Sequence, residues 1–165
     1  MAMHIRSAAL EDIPVIRQLS EVIWRPTYTP LLGEVQVQYM LDTMYSADAL
    51  TKQMEDGQVF LMVHVDDRPV GFAAYSRIDD AAYKLNKIYV DPALQGRGIG
   101  SALLNTVVER IKASGADRLQ LNVNPYNKAR VFYEHRGFTI LYDEDIDIGS
   151  GYFMNDYVME KELVN

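Results

Sequence analysis

Three glycines fall within five residues at Gly96, Gly98 and Gly100, inside the run KIYVDPALQGRGIGSALL from Lys87 to Leu104. The run reads as the end of a strand, a short Pro-containing turn, a glycine loop and an apolar-faced helix. Such a loop turns several backbone N–H groups toward one point at the positive end of a helix dipole. It therefore holds a phosphate or pyrophosphate without a basic cluster. The strand ahead of it offers unpaired backbone to the rest of a long ligand. A second chemical grouping is acidic: Asp143, Glu144, Asp145 and Asp147 put four carboxylates within five residues. Trp24 and Tyr28 supply aromatic faces of the kind that attract a cation. A solvated acidic turn is the alternative for the carboxylate run.

The spacing of Gln95-Gly96-Arg97-Gly98-Ile99-Gly100-Ser101 excludes two phosphate loops. A P-loop requires Lys then Ser or Thr after the last glycine, and here Ser101 follows Gly100 with no lysine. A dinucleotide fingerprint requires G-x-G-x-x-G early in a βαβ unit. This chain has G-x-G-x-G after what reads as an antiparallel meander. A bare strand-to-helix turn would explain one glycine better than three.

The elements that position these residues can be read in order. Strands are expected at His4–Ala8, Val59–Val65, Val70–Arg77, Ala82–Val90 and from Leu119 to Val123, with Asp66 to Pro69 as a hairpin turn. Apolar residues at helical spacing predict a helix from Glu11 to Ile23, ended by Pro26 and Pro30 in a loop from Trp24 to Gly33. Helices follow at Glu34–Tyr45 and Ala47–Glu55. Another, after the glycine loop, carries Ile99, Leu103, Val107 and Ile111 and stops at Gly115. Asn127 caps a helix from Lys128 to Arg136. Two last strands, Thr139–Tyr142 and Tyr152–Lys161, flank DEDIDIGSG as a connection. The fold class expected is α/β, one domain over residues 1–165, with a central mixed, mostly antiparallel sheet and helices on both faces.

Composition narrows the function classes. The 165 residues contain no cysteine, which excludes disulfides, thiolate metal sites and an acyl-cysteine intermediate. His4, His64 and His135 lie too far apart in sequence to suggest a metal site, and none is expected. A net charge of −7 argues against unassisted nucleic-acid binding and attracts a cationic substrate. With no membrane-length apolar run and no signal-peptide pattern at the start, a cytoplasmic location is the default expectation.

Gln95-x-x-Gly98-x-Gly100 resembles the Q/R-x-x-G-x-G/A signature of the GCN5-related N-acetyltransferase (GNAT) family. Asn127 to Phe138, NKARVFYEHRGF, is similar to that family's second cofactor element. The element order matches over nearly the whole chain. The resemblance implies that acetyl-CoA is the acetyl donor. Ile88, Tyr89 and Val90 would pair with its pantetheine arm, and a backbone N–H there would polarise the thioester carbonyl. The amides of Gln95, Gly96, Arg97, Gly98, Ile99, Gly100 and Ser101 would hold the pyrophosphate, with Asn122 and Asn127 along the arm. Arg97 reads equally as a solvated loop residue, and Asn127 as a helix cap, a contact, or both. Tyr133 would protonate the departing thiolate. On a helix its neighbour Phe132 points about 100° away, so Phe132 is expected in the core and Tyr133 in the cleft.

The resemblance leaves the general base open, because KLNKIYV carries Asn86 and no carboxylate where many relatives have glutamate. A water chain, an acid from the Asp143–Asp147 segment, or an acceptor that arrives neutral remain. On the acceptor side it implies Trp24, Tyr28, Asp143 and Asp145. The pattern is most similar to bacterial spermidine/spermine-type diamine acetyltransferases, so a small polyamine or diamine is the expected acceptor, by direct transfer in a ternary complex. A protein N-terminus, as in ribosomal-protein acetyltransferases, and a non-catalytic acyl-CoA-binding module are the alternatives. Relatives are often homodimers, and the Tyr-rich C-terminal strands suit such pairing.

Overall fold

Successive residues of VFLMVHV enter different cores. Leu61 and Val63 belong to one buried cluster, Phe60 and Met62 to another. Because side chains alternate along a strand, an apolar run of this kind demands helices on both faces of its sheet. The computed structural model describes residues 2–163 and has that arrangement; residues 1, 164 and 165 of the expected domain lie outside the described residues. The strands are β1 Met3–Ser7, β2 Val59–Val65, β3 Arg68–Arg77, β4 Ala82–Val90, β5 Arg118–Val123, β6 Thr139–Gly149 and β7 Tyr152–Glu162. The helices are α1 Ile13–Leu32, α2 Glu34–Met44, α3 Ala47–Glu55, α4 Ile99–Ala113 and α5 Ala129–His135. The sheet order is β1-β2-β3-β4-β5-β7-β6, with β4 and β5 parallel and the other neighbours antiparallel. Helices α4 and α5 cover one face, and α1, α2 and α3 the other.

Two irregularities in this sheet create the site. The parallel pairing runs only from Ala82 to Leu85 against Arg118 to Leu121. Beyond it the strands part, so the edge of β4 from Asn86 to Val90 faces the end of β5 across a gap. On the other side of β4, Ala74 pairs with Lys87 and Tyr75 with Leu85, which leaves Asn86 as a bulge. The extra residue changes which side chains share a face.

Three sequence expectations need correction. Helix α1 continues through Pro26 and Pro30 to Leu32 instead of ending at Ile23. Each internal proline costs about 3 kcal/mol, but both are exposed and four residues apart on one side. The carbonyls they leave without an N–H, those of Val22 and Pro26, can be hydrated. Burial of Ile23 and Trp24 offsets the cost at roughly 1.5–3 kcal/mol per large side chain. Next, the turn after β2 is the two residues Asp66 (φ 50°) and Asp67 (φ 66°), a tight primed-type hairpin turn, so Arg68 and Pro69 already belong to β3. Finally, DEDIDIG is strand, because β6 pairs with β7 from Thr139 to Gly149. Among the described residues no helix is long and apolar enough to cross a membrane.

Candidate active site

The glycine loop adopts the geometry its composition permits. Gly96 and Gly98 have φ of 83° and 80°, left-handed values that other residues rarely take. Gly98 caps α4 without any side-chain hydrogen bond, and the Ala102 N–H returns to the Gly98 carbonyl at 3.0 Å. The N–H groups of Ile99, Gly100 and Ser101 are thus the open end of a fifteen-residue helix. Ile99 offers only its backbone, since its side chain is buried in the core. Arg97 is exposed, and Gln95 and Gly100 line the adjoining groove. One cation here escaped the sequence reading. The Arg136 guanidinium stacks 3.7 Å from the Phe132 ring centre and donates to the Ser101 hydroxyl, which sets its charge beside the start of α4. Only the packing of α5 against α4 brings Arg136 there.

From this loop a groove of about 720 Å³ runs along the free edge of β4, between α1 and α5. Ile88, Tyr89, Val90, Asn122 and Asn127 all line it, as do Phe132 and Tyr133. Asn127 both caps and tethers: its Oδ1 accepts the Ala129 N–H at 2.9 Å, and its Nδ2 donates to the Tyr28 hydroxyl at 3.4 Å. The expected division between Phe132 and Tyr133 holds only for Tyr133: both side chains border the groove. Tyr133 is the deeper, with edge-on contacts to Phe132 and Phe138, while Phe132 is half-buried. The Tyr133 hydroxyl nevertheless has no hydrogen-bond partner among the described residues, and the residue borders the groove. Burial, with a smaller contribution from Tyr28, raises its pKa above the ordinary phenol value. It is a protonated donor at any physiological pH.

On the α1–α3 face the groove meets a second cavity of about 270 Å³, the two sharing Tyr28, Leu85, Asn86, Lys87, Tyr89, Asn122 and Val123 in their walls. Its floor comes from β4, β5, β6 and β7, its roof from α1, α2 and α3. Trp24 and Tyr28 stand here on α1, their ring centres 4.4 Å apart. Trp24 is buried among Tyr28, Tyr45 and Tyr89 and does not present an open aromatic face.

The carboxylate in this cavity is one the sequence reading missed. Asp156, on β7, is 3% exposed, lines the cavity and makes no salt bridge among the described residues. Burial is the main cause that lifts its pKa to about 6, with Lys84 opposing and Glu144 reinforcing. Alternation along FMNDYVM, which aligns Asp156 with Met154 and Val158, was the available signal. The same pairing corrects the acidic run. Glu144 lies opposite Asp156 and Ile146 opposite Met154, so these share the cavity face. Asp143, Asp145 and Asp147 pair with Tyr157, Asn155 and Phe153, and therefore project from the other face into solvent. Neither Asp143 nor Asp145 reaches the cavity, because a strand sends alternate residues to opposite sides.

A family model for the acetyltransferase (GNAT) domain matches residues 28–159. An uncharacterized N-acetyltransferase of Mycobacterium bovis is 32% identical over 137 residues, 82% of this chain and 87% of that protein. The spermidine N(1)-acetyltransferase of Thermoplasma acidophilum is 27% identical over 168 residues, 98% of each chain. In fold, the crystal structure of the PaiA N-acetyltransferase of T. acidophilum in complex with coenzyme A superposes with a TM-score of 0.83 at 24% identity, over 98% of this chain and 99% of that one. The chain belongs to the GNAT acetyltransferases, enzymes that use acetyl-CoA as acyl donor.

Proposed function

We propose that this GNAT acetyltransferase transfers an acetyl group to the primary amine of a small molecule, with donor and acceptor meeting where β4 and β5 part. The carrying observation is that two cavities of different chemistry open onto that gap, one bordered by the Tyr133 phenol and the other by the Asp156 carboxylate. Acetyl-CoA, when bound, supplies an acyl group activated as a thioester. The groove suits it on grounds of shape and chemistry. The uncapped start of α4 offers N–H groups and Arg136 a positive charge to a pyrophosphate. The unpaired edge of β4 offers backbone to an amide-bearing arm.

Asp156 is the proton acceptor in this reading. An amine arrives protonated and must lose a proton before its nitrogen can attack, and a carboxylate with a pKa near 6 is ionised at neutral pH yet basic enough to take it. Tyr133 holds the proton that a sulfur leaving group requires. The amide C–N bond forms, the thioester C–S bond breaks, and the sulfur departs as a thiol. Asn127, through Tyr28, ties the groove to the roof of the acceptor cavity.

A second reading, a polyamine acceptor, draws on the net charge of −7 and on the likeness to the spermidine N(1)-acetyltransferase of T. acidophilum. Asp156 and Glu144 are the carboxylates such a cation would meet. Amine-dependent release of CoA thiol, with the acetylated product identified by mass, tests the proposed function across polyamines, amino acids, aminoglycosides and N-terminal peptides. Tight binding of acetyl-CoA with no amine able to raise thiol release would favour a binding module instead.

A further inference from the structure

The bulge at Asn86 places two lysines where a cation-binding cavity would not have them. In a regular strand Lys84 and Lys87, three residues apart, would point to opposite faces. Here the extra residue brings both to the α1–α3 face, and both line the cavity that contains Asp156. Lys87 is 8% exposed and lies between the rings of Phe60 and Tyr45, at 5.4 and 5.6 Å from their centres. Its one hydrogen bond among the described residues is a long one of 3.4 Å to Gln58 Oε1. Neither lysine has a carboxylate partner in a salt bridge among the described residues. A buried ammonium ordinarily does, since desolvating a charge without an opposite one costs several kcal/mol. Trp24 Nε1, in the same wall, is buried with no acceptor among the described residues.

We infer that the acceptor is an amine that also bears an anionic group, a carboxylate, and that Lys87 receives this group while the amine lies toward Asp156. This rests on the reading of the cavity as the acceptor site. The cavity wall thus carries the Lys87 ammonium and the Trp24 N–H as donors without a good acceptor, the unpartnered Gln53 Oε1, and, with Lys84 near it, the Asp156 carboxylate. That combination fits a molecule carrying opposite charges, and it opposes a polycation, whose further ammonium groups would meet the two lysines.

The test uses matched acceptors of one length: 4-aminobutanoate, 4-aminobutanamide and 1,4-diaminobutane, together with their shorter and longer homologues. With acetyl-CoA and the wild-type protein, the carboxylate of the best length should exceed its amide in kcat/KM by about 10–100-fold, the range of a hydrogen bond to a charged group. The difference should lie mainly in KM. Lys87→Gln should erase it, and Lys87→Arg should restore part of it; melting curves of both variants report whether the fold is kept. The amide or the diamine equalling the carboxylate at every length would overturn the inference, as would an unchanged ratio in a folded Lys87→Gln. Calorimetric binding of the same compounds to the CoA-saturated protein separates this from failure of the catalytic reading. Carboxylate-selective, Lys87-dependent binding without turnover would retain the acceptor class and reject the roles of Asp156 and Tyr133. Equal binding of all three compounds would reject the acceptor class.

Discussion

The groove beside α4 and the cavity beneath α1 share a wall but are built from different materials. The groove presents backbone: left-handed glycines, an uncapped helix start and a strand edge, flanked by Asn127 and Arg136. The cavity presents side chains from seven elements, with buried charge on Asp156 and Lys87. Backbone recognition depends on chain geometry and is tolerant of most side-chain chemistry. Side-chain recognition depends on charge, so its substitutions should alter pH dependence and acceptor choice while leaving donor affinity intact.

The largest expected break in this division comes from the groove side. Gly98→Asp forces a side chain into a left-handed φ of 80° and sets a carboxylate against the anion site. Like charges in contact cost several kcal/mol, so acetyl-CoA affinity should fall by more than about 100-fold, with a stability loss of only about 1–2 kcal/mol. Isothermal calorimetry and a melting curve read both; unchanged affinity would detach the loop from the donor.

Tyr133→Phe comes next, since it removes one hydroxyl at the shared wall. kcat should drop by roughly 10²–10⁴-fold with donor Kd unchanged. Wild-type turnover would show that the thiol leaves without this phenol.

A smaller effect sharpens the contrast through stability. The folded-state pKa of Asp156, about 6, lies above its ordinary 3.8. The folded protein therefore holds the proton more tightly than the unfolded chain. As pH rises from about 4 through 6, stability from this group is lost. Asp156→Asn should then be more stable than wild type by about 2–3 kcal/mol at pH 8, and no more stable at pH 4. Chemical denaturation at the two pH values checks the sign.

The smallest effect is expected at the outer face of β6. Converting Asp143, Asp145 and Asp147 to amides removes exposed charges that project away from the cavity. KM for a cationic acceptor should change by less than about threefold, within the range of exposed ion pairs, and the change should vanish at high salt. A larger, salt-resistant rise in KM would return these residues to the acceptor site.

The two regions also differed in how far sequence revealed them. Gly96, Gly98 and Gly100 are legible because a backbone site is contiguous and needs residues that few other roles require. The mixed sheet and both helical layers were legible for a related reason, since VFLMVHV and the α4 pattern obey simple periods. The acceptor cavity was not. Asp156 reaches it from β7, Lys84 and Lys87 share its floor only through the Asn86 bulge, and Gln58 and Tyr45 come from the opposite end of the chain order. The acidic run misled because its composition is visible and its pairing is not. Once β6 extends to Gly149, alternation sends Asp143 and Asp145 outward. Pro26 and Pro30 misled likewise, because local propensity yields to the packing of Trp24 and Ile23.

The division of labour is tested most directly by the pH dependence of kcat/KM for wild type and Asp156→Asn, measured beside the donor Kd of each. The account predicts a wild-type acid limb centred near pH 6, set by deprotonation of Asp156. In Asp156→Asn that limb should disappear and the neutral-pH rate fall by roughly 10²–10⁴-fold, while acetyl-CoA binds as before. An Asp156→Asn enzyme that keeps the limb and the rate, or that loses acetyl-CoA affinity instead, would contradict it.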